Sequence, residues 1–219
     1  MIPSPFTSLP NLNVSSPVVF VQLGANDGKR GACGDPIYAL AQMHSWSGFA
    51  VEANPRTFLK LQKNYAYALG RVRTLNIAAA VADGFLDLYV PHRSPLTSEW
   101  ASAIPSHSHG RRTKRVTVPA LSIATLWKQH VEPVRVPRVD ILVTDLEGYD
   151  HELLTRTNWS ALAVLKPRFI LFEHEHMSPG NRSVTLTHLG THGYRTVRTV
   201  PCGLRSKSSM DTLVELAYY

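Results

Sequence analysis

"VVFVQLGANDGKRGACGDP", Val18 to Pro36, decides how the rest of the chain is read. Val18–Leu23 is apolar but for Gln22, as in a strand buried on both faces. It runs into Gly24, then Asn26-Asp27-Gly28, and Asp35-Pro36 has the form of a helix start, N-cap followed by proline. In an open parallel sheet a glycine turn between strand and helix lies where ligands bind, at the carboxyl ends of the strands.

The pattern repeats along the chain. "GFAVE" (Gly48–Glu52) is a second strand, and "NPRTFLKLQKNYAYAL" opens on Asn54-Pro55 and sets Phe58, Leu61 and Tyr65 on one helix face. "VRTLNIAAAV" is a third strand, while "GFLDLYVP" alternates as an antiparallel strand does. Residues 94–110 form a long polar loop, a candidate lid with Trp100 at its centre. "VTVPAL" resumes as a strand before a helix over Ser122–His130. "VDILVTDLEG" and "RFILFEHE" are two more buried strands, with helices from Tyr149 and around Arg182–His192, and "YRTVRTV" and "DTLVELAYY" close the chain as a hairpin. Repeated β-α units with a final antiparallel strand predict one doubly wound α/β domain over 18–219. Residues 1–17 read as a Pro/Ser-rich arm before it.

The turn Gly24–Gly28 is neither the G-x-G-x-x-G of a dinucleotide site nor a P-loop. The second strand ends in Glu52, and a carboxylate there can accept from both ribose hydroxyls. Glycines at 24 and 28 let backbone approach a ligand closely. An adenosine without phosphates, carrying an amino-acid tail and a sulfonium, suits this arrangement: S-adenosylmethionine. The competing reading makes the glycines a plain tight turn and Glu52 a helix-flanking acid.

The ordered segments "FVQLGANDGK", "GDPIY", "VEANPRTFLKLQKNY", "EWASAIPSH", "VTVPALSIATLW", "DILVTDLEGYDHELL", "KPRFILFEHEHMS" and "HGY" resemble the FkbM-type methyltransferases, from about Val18 to Leu213. The most specific piece is D-x-E-G-Y-D, Asp145 to Asp150. The resemblance implies a class I methyltransferase (Rossmann-like) fold: a mostly parallel seven-stranded sheet, a C-terminal antiparallel strand and helices on both faces. It implies that Gly24, Asn26, Asp27 and Gly28 border the methionine and adenosine, that Glu52 takes the ribose, and that Asn76 and Ala78 border the adenine. Asp145 and Glu147 would face the methyl donor, and the W-A-S element places Trp100 and Ser102 at the acceptor. Where the family continues that element with a small residue and an aromatic, this chain has "AIPSHSHG", with Pro105, His107 and His109.

The sulfonium is already an activated leaving group, so transfer needs an in-line acceptor and exclusion of water. A hydroxyl acceptor also needs a base. Asp145 and Glu147 share a face if their strand persists that far, and "FEHEH" sets Glu173 and Glu175 on one side of its strand with His174 and His176 on the other. Three roles compete here: Asp145 as donor or acceptor positioner, His174 as general base with Glu173 beside it, and Asp145, Glu147, Glu173 with a histidine as a divalent-cation site. The first is preferred, and no metal is expected.

The net charge of +7 is concentrated in "HGRRTKRV", where Arg111 to Arg115 read as a solvated loop rim or as a patch for nucleic acid. No aromatic residue interleaves it for base stacking. No apolar run approaches the roughly 18 residues of a membrane span. The first residues lack the form of a signal peptide, which favours a cytoplasmic protein. Cys33 and Cys202 are too few for a disulfide framework or a zinc site, and the sequons at Asn13, Asn158 and Asn181 are short enough to arise by chance. The expected function is therefore O-methylation of a carbohydrate or other small metabolite, with nucleic-acid methylation and a non-catalytic adenosyl-binding module as alternatives.

Overall fold

The structure is a computed structural model that describes residues 4–7, 9, 11–29, 35–91, 101–105, 112–201 and 209–217. Cys33, Trp100, His107, His109, Arg111 and Cys202 lie outside the described residues, as does most of the candidate lid.

Seven strands form the central sheet: β1 (Val19–Leu23), β2 (Ser47–Val51), β3 (Val72–Leu75), β7 (Ile141–Thr144), β8 (Phe169–Glu173), β9 (Tyr194–Pro201) and β10 (Ser209–Leu216). Their order is β3-β2-β1-β7-β8-β10-β9. β1 pairs in parallel with β2 and β7, β7 with β8, and β10 runs antiparallel between β8 and β9. The order reverses at β1, so the crevice beyond the ends of β1, β2 and β7 is the topological switch point. This is the class I methyltransferase sheet anticipated from the sequence.

A sheet buried on both faces needs strands apolar on both sides, and Phe20, Ile141, Leu142, Ile170 and Phe172 are all fully buried. One face carries α1 (Tyr38–Met43) and α2 (Pro55–Asn64); the other carries α3 (Ile123–Leu126), α4 (Asp150–Arg156) and α5 (Pro179–Thr191). α2 starts as its sequence predicts, with Asn54 accepting from Arg56 N and Pro55 in the first turn. It buries Leu61 against the sheet beside Tyr65, with Phe58 partly covered. Asp35 caps as its sequence predicts, its Oδ1 accepting from Ile37 N and Tyr38 N at 2.8 and 2.6 Å, but regular helix begins only at Tyr38, after a turn. The helix expected over 122–130 is capped by Ser122, and α3 passes at Trp127 into a π-helical stretch, Trp127–Val131.

Two expectations need correction. "VRTLNIAAAV" is not one strand: Asn76-Ile77 divides it into β3 and β4 (Ala78–Ala80), in different sheets. Asn76 causes the break by donating to the carbonyls of Glu52 and Ala53, which turns the chain out of the large sheet. β4, β6 (Thr113–Ser122) and β5 (Gly84–Pro91) make a separate three-stranded sheet, with β4 parallel and β5 antiparallel to β6. Arg112 to Arg115 accordingly lead into and begin β6, a strand and not a loop rim, with Arg115 paired to Asp87 across the hairpin at 3.4 Å.

Residues before β1 contribute to the core. Phe6, Leu9 and Leu12 are buried with Trp46, whose indole nitrogen donates to Val14 O at 2.8 Å. Ser4 donates to Pro36 O, Arg198 to Pro5 O, and Asn11 to Glu215.

Candidate functional site

The glycine turn leaves β1 at Gly24 with φ +79°, and Asn26 and Gly28 also have positive φ, +49° and +75°. A Cβ on Gly24 would lie 1.9 Å from Asp145 O, and one on Gly28 would lie 2.7 Å from the Tyr65 ring. Both glycines are thus required by the protein's own neighbours: Gly24 lets the turn lie against the end of β7, and Gly28 seats it on α2. Asn26 Oδ1 accepts from Asp27 N, Asp27 is buried with Oδ1 on Lys29 N, and Asn64 donates to Asp27 O.

Glu52, one residue beyond β2, binds this turn directly. Its Oε2 accepts from Asn26 N at 2.9 Å and its Oε1 from Asn54 N at 2.7 Å. Each oxygen keeps a lone pair for a further donor. Burial raises its pKa to about 7, against the pull of those two N–H groups. Asn76 also lies here, holding the loop after Glu52, whereas Ala78 is buried in the small sheet with Ala80, Leu88, Val118 and Ala120.

A second group gathers at the ends of β7, β8 and β10. The β7–β8 pairing Thr144↔Phe172 brings Asp145 beside Glu173, and Glu173 pairs with Asp211. Asp145 stands exposed at the mouth of the cleft and not in a sealed core. Protein still crowds its carboxyl, and that crowding, with Glu147 and Asp150 nearby, raises its pKa well above the usual carboxylate range. Glu173 is driven higher as well, by burial first and Asp145 second.

β7 stops at Thr144, and the turn 145–149 puts Glu147 at φ +52°. Two bonds fix this turn: Leu146 N donates to Asp150 Oδ2 at 2.9 Å, and Ser102 Oγ donates to Glu147 O at 2.8 Å. Ser102 is buried, accepts from Ile104 N and pairs with Tyr89 of β5. It anchors residues 101–105 to both sheets, and its hydroxyl faces protein.

The histidines depart from simple alternation. β8 ends at Glu173, and the turn that follows brings His176 back beside the acids, its Nε2 3.4 Å from Glu147 Oε2 and 3.7 Å from Glu173 Oε1. Its pKa is raised, chiefly by the hydrogen bond to Glu147. His174 is buried with Nδ1 2.9 Å from Thr212 Oγ1. The structure therefore brings Asp145, Glu147 and Glu173 together with His176, and places His174 against β10. Sequence reasoning set His176 with His174 on the side of "FEHEH" opposite Glu173, because strand alternation was carried past the point where the strand ends.

The chain matches the family model described as the methyltransferase FkbM domain over residues 22–195. It belongs to that family. No curated protein matches the sequence. Among solved structures, fibrillarin of Aeropyrum pernix with natively bound S-adenosyl-L-methionine superposes with a TM-score of 0.53 at 11% identity, covering 96% of this chain and 72% of the other. The fibrillarin pre-rRNA processing protein of Methanococcus jannaschii gives 0.51 at 12% identity, covering 96% and 71%. At such identities the likeness is one of fold. The protein is an S-adenosylmethionine-dependent methyltransferase, and the glycine turn with Glu52 occupies the switch point where its sheet would receive an adenosyl group.

Proposed function

We propose that this methyltransferase moves a methyl group from S-adenosylmethionine to a hydroxyl of a carbohydrate or other small metabolite. The observation that carries the reading is the position of Asp145: open to the cleft, beside Glu173, and one residue past a strand whose end touches the glycine turn. An attacking hydroxyl sheds its proton as it reacts, and a carboxylate within reach can take it. The acceptor oxygen forms the new C–O bond while the S–CH3 bond breaks. That electron pair returns to sulfur and leaves neutral S-adenosylhomocysteine, and the proton passes to Asp145. Glu52 would hold the ribose, with Gly24, Asn26, Asp27 and Gly28 around the donor. Ser102 would shape the acceptor wall through Glu147, without touching the acceptor.

One observation favours a second reading, nucleic acid: Arg112, Lys114 and Arg115 are exposed at the start of β6 in a chain of charge +7. Incubation with methyl-labelled donor and separate panels of hydroxylated metabolites, saccharides and RNA decides between them. Label on a hydroxyl oxygen of a small acceptor is expected. Label on RNA alone, with binding that falls steeply with salt, would replace the proposal.

A further inference from the structure

We propose that Glu147, Glu173 and His176 form a binding site for one divalent metal ion at the acceptor end of the cleft. Where the ion sits rests on side-chain geometry alone; its use, to polarise the acceptor hydroxyl beside Asp145, rests on the hydroxyl reading above.

One carboxylate oxygen of each glutamate and one ring nitrogen of His176 lie within 4.8 Å of one another, with Nε2 at 3.4 and 3.7 Å from the two oxygens. Ligand atoms around an ion with bonds of about 2.0–2.2 Å stand roughly 3–4 Å apart, so little movement is needed to close the site. A separate observation points to a missing partner. Glu173 is nine-tenths buried, and its Oε2 has no hydrogen-bond partner among the described residues. An unsatisfied buried carboxylate oxygen is costly, and a cation beside it removes the cost. Asp145 and Asp211 flank Glu173 on the neighbouring strands, which adds to the demand for positive charge.

Two carboxylates and one imidazole suit borderline ions such as Mn2+ or Zn2+, and three protein ligands leave positions open to an acceptor. Glu147 is carried on the turn that Ser102 anchors, so its backbone is held before any ion arrives.

The test uses chelator-stripped full chain titrated with Mn2+, read by loss of the free-ion paramagnetic resonance signal, and separately with Zn2+ by calorimetry. One equivalent of either ion should bind. His176→Gln and Glu147→Gln should each weaken it at least tenfold, with S-adenosylhomocysteine affinity and circular dichroism retained as a check on folding. Binding of neither ion, or equal binding by wild type and both variants, overturns the site and leaves His176 as an ion-pair partner only. Hydroxyl methylation undiminished in chelator, together with no ion binding, would do the same while leaving the hydroxyl reading intact. An ion bound as described, with label found only on RNA, would keep the site and discard the hydroxyl reading.

Discussion

Glu52 ties the donor turn to the second strand, so its charge state should govern cofactor affinity. Replacing it with alanine removes the acceptor of Asn26 N and Asn54 N and, on the proposed reading, that of the ribose; hydrogen bonds to a charged group contribute about 1.5–3 kcal/mol, so S-adenosylhomocysteine should bind roughly 10- to 100-fold more weakly by calorimetry. Unchanged affinity would remove Glu52 from the donor site. Its pKa, raised to about 7, adds a pH signature. On the proposed reading the ionised form accepts from both ribose hydroxyls, so affinity should decline as pH falls below about 7 in wild type, and that slope should flatten in Glu52→Gln. Asp145→Asn separates binding from chemistry: cofactor affinity should persist while turnover falls by a factor of about 100 or more, the range of a lost general base. Gly24→Ala should fail at an earlier stage, because its φ of +79° and the Asp145 carbonyl at 1.9 Å from a Cβ together cost about 3 kcal/mol or more, visible as a lowered Tm or no folded protein.

The turn 145–149 has its geometry set by Ser102 and Asp150, so loss of either bond should loosen that turn before it unfolds the domain. Ser102→Ala should lower stability by about 1–2 kcal/mol and speed hydrogen exchange at 101–105, while cofactor affinity stays near wild type. Exchange unchanged there would mean that the hydroxyl does not anchor the segment. Much of this architecture could be read from residues alone. Continuous apolar runs gave the buried strands, and Asn54-Pro55 marks the start of α2 with the side chain capping as expected, whereas α5 begins at Pro179 under a Ser178 cap, three residues before the helix expected around Arg182. The division of "VRTLNIAAAV" into two sheets could not be read, since it depends on Asn76 reaching backbone carbonyls more than twenty residues away. The place of His176 was hidden for a related reason: period-two alternation ceases where β8 ends, and the turn beyond it has no periodicity to read. Gly24 and Gly28 were assigned to ligand approach, yet the atoms nearest their absent Cβ positions are Asp145, Tyr65 and Leu61, contacts between segments far apart in sequence.

Buried acids give the domain as a whole an unusual pH response. Burial raises Asp35 to about 6 and Glu52 to about 7, above the 3.8 and 4.5 of the free groups. The folded state then binds more protons than the unfolded one between those limits. Stability from this source is complete below about pH 4 and is lost as pH rises through 6 to 7. The apo protein should therefore melt at higher temperature near pH 5.5 than near pH 8, and saturating S-adenosylhomocysteine should narrow the gap. A Tm that rises steadily from pH 5.5 to 8 would contradict the burial of these two carboxyls. A different consequence follows from β10, which comes last in sequence yet lies between β8 and β9. Until Ser209–Leu216 have left the ribosome, both neighbours expose unpaired backbone along one edge, an invitation to self-association during synthesis. Nascent chains arrested before Ser209 should call on chaperones far more than chains arrested well beyond Leu216.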